Sequence, residues 1–87
     1  MRHRAEWMKP ADDLILEYVQ SAGEVPPVVI GRNVDIHSKY AGERCRELTN
    51  YGLLNRLEGG YYSISSQGKE YLQGDLDAES LGPSEEV

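Results

Sequence analysis

The sequence has one cysteine, Cys45, so no internal disulfide can form, and no residues at metal-ligand spacing surround it. His3 and His37 are far apart with no spaced acid or thiol beside either, which argues against a zinc-type centre. No stretch approaches the roughly 20 apolar residues that a membrane span needs, and the basic start MRHRAEWMKP leads into no apolar run of the signal-peptide kind. A nucleophile paired with a base, a spaced carboxylate pair and a phosphate-cradling glycine loop are all missing. We therefore expect a reduced, cytoplasmic, non-enzymatic protein with no cofactor, no metal and no membrane partner.

Lysine is also scarce. Lys9, Lys39 and Lys69 are its full complement, and 15 acids against 9 Lys and Arg give a net charge of -6. That balance is unusual for a protein whose partner is a polyanion, because phosphate contacts normally come with a basic surface. The distribution weakens the objection. Asp75, Asp77, Glu79, Glu85 and Glu86 fall in a stretch without Lys or Arg, and without these five the remaining 10 acids face 9 bases, a charge of -1. Few lysines, with acids spread over the helices, fit a protein working in very high salt and equally a merely acidic, soluble one. At 1 M the Debye length of about 3 Å screens long-range repulsion between acidic groups and DNA.

What is present suffices for one domain. A chain of 87 residues has room for a single core. A domain this small buries only about 60% of the surface its unfolded chain exposes, so dimerisation would help. We divide it into an N-terminal arm over 1–9, a folded domain over 10–76 and an acidic, disordered tail over 77–87, too poor in apolar residues to offset chain entropy.

Pro10 suits the first turn of a helix, and Asp12 and Asp13 complement its dipole. Leu14, Ile15, Tyr18, Val19 and Ala22 recur at helical spacing as far as the stop at Gly23. Pro26 and Pro27 open a second helix holding Val28, Val29, Ile30 and Val34. Its β-branched content also fits a strand, but Gly31-Arg32-Asn33 interrupts strand alternation and Pro27 suits a helix start. After the turn at Asp35-Ile36-His37, a third helix runs from Ser38 to Tyr51 and closes at Gly52. The 3.6 period puts Ala41, Cys45 and Leu48 on one side of it and Lys39, Glu43, Arg46 and Asn50 on the other. Gly59-Gly60 forms a tight hairpin turn between the apolar runs Leu53 to Glu58 and Tyr61 to Ile64. Ser65 or Ser66 caps a fourth helix through Leu72, extending to Leu76.

This order describes an α+β, mainly α fold: a winged helix-turn-helix with three helices, a two-stranded β-hairpin wing and a C-terminal helix. In that geometry the helix over 38–51 lies in the major groove of DNA while the helix before it braces it.

Particular stretches sharpen the expectation. Trp7-Met8 precedes Pro10-Ala11-Asp12-Asp13, then come Tyr40-Ala41-Gly42-Glu43-Arg44-Cys45-Arg46-Glu47-Leu48 and Tyr51-Gly52-Leu53-Leu54. Gly60-Tyr61-Tyr62-Ser63-Ile64-Ser65 follows, with Gly68 and Tyr71-Leu72. Over residues 7–78 the chain resembles the winged-helix regulators abundant in halophilic archaea, including those similar to a halophage repressor. The resemblance implies DNA binding and transcriptional control, with the chain expected to act as a repressor. Where such relatives usually carry a small hydroxyl cap and more basic residues at the start of the recognition helix, this chain has His37 and Glu43.

Lys39 and Arg46 are the foremost candidates for base-edge or phosphate contact, and Glu43 is placed to accept a hydrogen bond from cytosine N4. Arg44, on the flank of the helix, is expected to reach phosphate. Ser38 and Tyr40 stand near the helix start, where they and backbone N–H groups can donate to phosphate, with a packed, structural role the equal alternative for Tyr40. Arg56, Gly59 and Gly60 belong to a wing too short to reach far into a minor groove, so backbone contact is expected there. Arg32 is within reach of phosphate from the bracing helix, though a surface role is the first expectation, and Cys45 is expected to be an inert core thiol. With Lys39, Arg44 and Arg46 set against Glu43 and Glu47, the exposed helix face is mildly basic, which favours DNA over the alternative of a protein-docking winged helix. Trp7 and Met8 are expected either to fold back as an apolar cover or to serve a partner chain. The partner expected is double-stranded DNA, bound by a homodimer joined through Trp7, Met8, Leu76 and Leu81.

Overall fold

Pro10 opens helix α1, Pro10–Ala22, because its fixed φ suits the first helical turn and its missing N–H needs no partner there. The Asp12 carboxylate accepts from the Lys9 N–H at 3.0 Å, closing the helix start, and Gly23 ends the helix with φ 97°. The computed structural model describes residues 1–83. Its elements continue with α2 (Pro27–Val34), α3 (Ser38–Asn50), β1 (Leu54–Arg56), β2 (Tyr62–Ile64) and α4 (Ser66–Gln73). This is the expected winged-helix order, with α2 helical despite its valines. No described helix is long and apolar enough to cross a membrane.

The inward face of α1 differs from the expected one. Ile15, Leu16 and Val19 are fully buried together with Asp12, whereas Leu14 is half exposed and Ala22 is exposed. Residues 12, 15, 16 and 19 follow the i, i+3, i+4, i+7 spacing of a single stripe, so the helix is rotated to carry a charged group inward. The rest of the core comes from Ile30 of α2, Ala41, Cys45 and Leu48 of α3, Leu53, Leu54 and Tyr62 of the hairpin, and Tyr71 of α4. At Gly31 the end of α2 lies so close to the start of α3 that a Cβ would stand 2.7 Å from the Ile36 carbonyl oxygen.

In the antiparallel hairpin Leu54 faces Ile64 and Arg56 faces Tyr62. Val25 adds a single bridge on the far side of Tyr62, through N–H to O distances of 3.0 and 2.8 Å. The tip is not the expected two-residue turn. Both strands stop short, Leu57 N–H donates to the Tyr61 carbonyl at 2.8 Å, and Glu58–Gly60 form a 3-10 turn between them. Gly59 and Gly60 both take positive φ, 81° and 82°, which a side chain would strain. Helix α4 starts at Ser65, whose Oγ accepts from Gly68 N–H at 2.9 Å and donates to the Gly52 carbonyl at 2.6 Å. It ends at Gln73 rather than Leu76, because Gly74 turns left-handed with φ 84°.

Trp7 and Met8 fold back on their own chain, one of the two expectations for them, while the start of the tail is more ordered than expected. His3 and Asp77 form a parallel bridge, with Ala78 N–H donating to the His3 carbonyl at 2.9 Å, and Ala78–Ser80 make a 3-10 turn. Ala5, Met8 and Ala78 are buried, and Leu76 and Leu81 pack against the core. Each end supplies the apolar surface that the other lacks, so residues 77–81 are ordered. Glu85 and Glu86 lie outside the described residues. The same packing removes much of the surface assigned to a dimer contact: Met8 is core, and Trp7 stacks on Tyr51 with ring centroids 3.8 Å apart and planes at 11°.

Candidate nucleic-acid interface

Helix α3 begins at His37, whose Nδ1 accepts from the Lys39 N–H at 3.1 Å, so the imidazole does the work of the absent hydroxyl cap. Ala41, Cys45 and Leu48 turn to the core as their spacing predicts. Burial, and then the nearby Asp12 charge, push the Cys45 thiol up to about 12, which keeps it protonated and unreactive at neutral pH. Gly42 is buried against α2, and a Cβ there would sit 3.8 Å from Pro27 and 3.6 Å from Nη1 of Arg46. The Arg46 guanidinium thus lies back along α3 toward its N-terminal half.

Arg44 does not reach outward. Its Nε and Nη2 donate to the two carboxylate oxygens of Asp12 at 2.9 and 2.8 Å, with the arginine side chain 12% exposed and the aspartate fully buried. That hydrogen bonding, foremost, raises the Arg44 pKa. The expected phosphate ligand is therefore a tie between α1 and α3. Without it the outer face of α3 carries Lys39 and Arg46 against Glu43 and Glu47, a neutral face rather than a mildly basic one.

Lys39, Glu43 and Arg46 are exposed along one stripe of α3, and none of the three makes an ion pair among the described residues. Ser38 and Tyr40 are exposed at the helix start beside Lys39, and Tyr40 presents 38% of its surface. Arg56 is exposed too, but it lines an open groove of about 630 Å³ with Thr49, Gly52 and Ser66, toward the C-terminal end of α3. The structure groups it with that end and not with Lys39. Tyr61, missed as a candidate, shows 44% of its surface beside the wing tip, while Tyr62, on the opposite face of the chain, is buried.

The cations are segregated. Of the 9 Lys and Arg, Arg2, Arg4 and Arg44 pair with Asp13, Glu17 and Asp12 on α1, leaving 6 with no ion pair among the described residues. Four of those six, Arg32, Lys39, Arg46 and Arg56, lie on α2, α3 and β1; the others are Lys9 and Lys69. Internal pairing thus concentrates on one helix, and unpaired cations on the helix-turn-helix and the wing. There Asp35, Glu43, Glu47 and Glu58, likewise without an ion pair among the described residues, equal them in number.

Comparison with known proteins agrees with this architecture. A family model described as winged helix-turn-helix phage repressor matches residues 1–84, a span that includes both the N-terminal segment and the 3-10 turn it pairs with. The repressor protein of Halobacterium phage phiH is 35% identical over 86 residues, covering 93% of this chain and 97% of that protein. The crystal structure of the PhiH1 repressor-like protein from Haloarcula marismortui superposes with a TM-score of 0.88 at 30% identity, covering 95% of this chain and 97% of the other.

Proposed function

Because the chain belongs to the winged helix-turn-helix phage repressor family, we propose that it is an intracellular repressor that binds double-stranded DNA with α3 in the major groove. The observation that carries the reading is the segregation of unpaired cations onto α2, α3 and β1. Lys39 and Arg46 contact base edges or phosphate. Ser38 and Tyr40 donate to phosphate near the helix start, and Arg32 and Arg56 make flanking backbone contacts. Arg44 acts through position alone, by holding α3 against α1.

A neutral α3 face contributes little attraction to phosphate, so base contacts and screening by salt matter more than in a basic repressor. A helix of 13 residues spans only a few base pairs, and two copies supply the length of sequence an operator needs. The proposal therefore includes a homodimer with its two α3 helices about 34 Å apart on successive major grooves.

Selection of bound fragments from genomic DNA in high-salt buffer tests the reading, with a Lys39→Ala, Arg46→Ala double variant as control. An enriched motif that the variant loses is expected. Absence of any motif, or equal enrichment by the variant, would show that α3 does not read DNA and would leave a protein partner as the reading. Sedimentation of the protein on an enriched fragment is expected to give two chains per duplex, and one chain per duplex overturns the dimer.

A further inference from the structure

We infer that Glu43 is a specificity residue that selects cytosine, accepting a hydrogen bond from the N4 amine in the major groove between base contacts made by Lys39 and Arg46. The inference rests on the DNA-binding reading above and adds to it which base the central position requires.

Glu43 stands one turn from Lys39 on one side and from Arg46 on the other, all three exposed on the same stripe. The axial separations are about 6 Å and 4.5 Å at 1.5 Å per residue. With the helix lying in the major groove, side chains this close together reach the edges of neighbouring base pairs. Either cation is within sequence reach of the carboxylate, yet no ion pair joins them among the described residues. The stripe therefore carries an acceptor whose sequence neighbours on the same face are both donors, the Arg46 head lying back beside Gly42 and so next to Glu43, and each is available to a partner outside the chain.

The chemistry of the groove then restricts what the acceptor can meet. An ionised carboxylate has no proton to donate. Guanine offers acceptors alone at N7 and O6, thymine offers O4 and a methyl group, and the phosphates are anionic, so each of these repels it. Adenine places its N6 donor next to the N7 acceptor. Cytosine N4 is the one donor whose own base adds no acceptor beside it on that edge. Its paired guanine turns O6 and N7 toward the same groove, where Lys39 or Arg46 can donate. A helix face with no net charge has little general attraction for the duplex, so a carboxylate at its centre is tolerated when it meets such a donor and penalised elsewhere.

Selection from a randomised duplex library with the full-length protein, its Glu43→Ala and its Glu43→Gln variants tests this, since an exposed position leaves folding intact and circular dichroism checks it. Wild type is expected to enrich a motif with cytosine at one position of each half-site. Glu43→Ala is expected to relax that position by about fivefold or more while keeping the others. Glu43→Gln is expected to move it toward adenine, whose N6 and N7 match a carboxamide. An unchanged motif with affinity raised uniformly in Glu43→Ala overturns the inference and leaves DNA binding standing. No motif from wild type overturns the DNA-binding reading and this inference together.

Discussion

Arg44 of α3 grips both carboxylate oxygens of Asp12 of α1, at 2.9 and 2.8 Å, and the same carboxylate accepts the Lys9 N–H at 3.0 Å. One fully buried acid thus closes the start of one helix and fixes the middle of another. Such a pair offsets its desolvation when every charge is hydrogen-bonded, and it costs most when one member is removed. The guanidinium's fork geometry suits this bidentate grip, which a lysine cannot reproduce.

Arg44→Ala leaves the Asp12 charge buried without its partner and is expected to lower stability by about 3–5 kcal/mol, a large part of the roughly 5–15 kcal/mol typical of a domain. A double variant, Asp12→Leu with Arg44→Met, removes both charges and is expected to be more stable than Arg44→Ala. Urea unfolding at pH 7 measures both. An Arg44→Ala variant within 1 kcal/mol of wild type would show that the pair does not hold α3 in place.

Two buried glycines on adjacent helices are expected to respond oppositely to alanine. At Gly31 the added Cβ meets the Ile36 carbonyl at 2.7 Å and the Ser38 Cα at 3.2 Å, both backbone atoms that yield only if the α2–α3 turn shifts. A loss of about 1–3 kcal/mol follows. At Gly42 the nearest atoms stand at ordinary contact distance, 3.6 Å and beyond, so Gly42→Ala gains helix propensity, about 1 kcal/mol. Thermal melts are expected to move down for the first and up by several degrees for the second.

Trp7 is the single tryptophan of the chain, so its emission reports the docking of the N-terminal segment alone. Stacked on Tyr51 at 3.8 Å, it should shift to the red in Tyr51→Ala, with a loss of about 0.5–1.5 kcal/mol beyond the area effect. In wild type, unfolding curves followed by tryptophan emission and by far-UV circular dichroism are expected to coincide, since Ala5 and Met8 belong to the core. An earlier emission transition would show that the segment docks independently.

The protein is expected to lose stability on the alkaline side. The Cys45 thiol has an ordinary value of 9.0 and is pushed up to about 12 when folded. Burial, then the hydrogen bond to Asp13, likewise raises Tyr71 above its ordinary 10.0. Both groups hold their protons longer folded than unfolded. Their contribution is therefore complete below pH 9 and lost as pH rises through the window up to the folded values, by about 1.4 kcal/mol per pH unit for each group titrating. Urea unfolding at pH 8, 9 and 10 checks the sign, and Cys45→Ala is expected to flatten the slope between pH 9 and 10.

Local chemistry by itself determined where α1, α2 and α3 begin and where α1 and α3 stop, though not the end of α4, which stops at Gln73 rather than Leu76. Pro10 and Pro27 carry a proline preference for the first turn, Gly23 and Gly52 supply stops, and the period of α3 separates Ala41, Cys45 and Leu48 from Lys39, Glu43 and Arg46. These signals act within a turn or two of chain, so they can be read from neighbouring residues. The candidate stripe on α3 was legible for the same reason. Tertiary structure alone decided that Arg44 turns inward, because its partner Asp12 is 32 residues away and reads locally as a dipole-complementing surface acid. It also decided that the stripe on α1 runs through Asp12, Ile15, Leu16 and Val19 rather than through Leu14 and Ala22. It alone joined His3 to Asp77 and so ordered a stretch whose composition predicts disorder. A buried ion pair and a bridge between chain ends depend on surfaces that meet only after folding, and they leave no periodicity in the sequence at either partner.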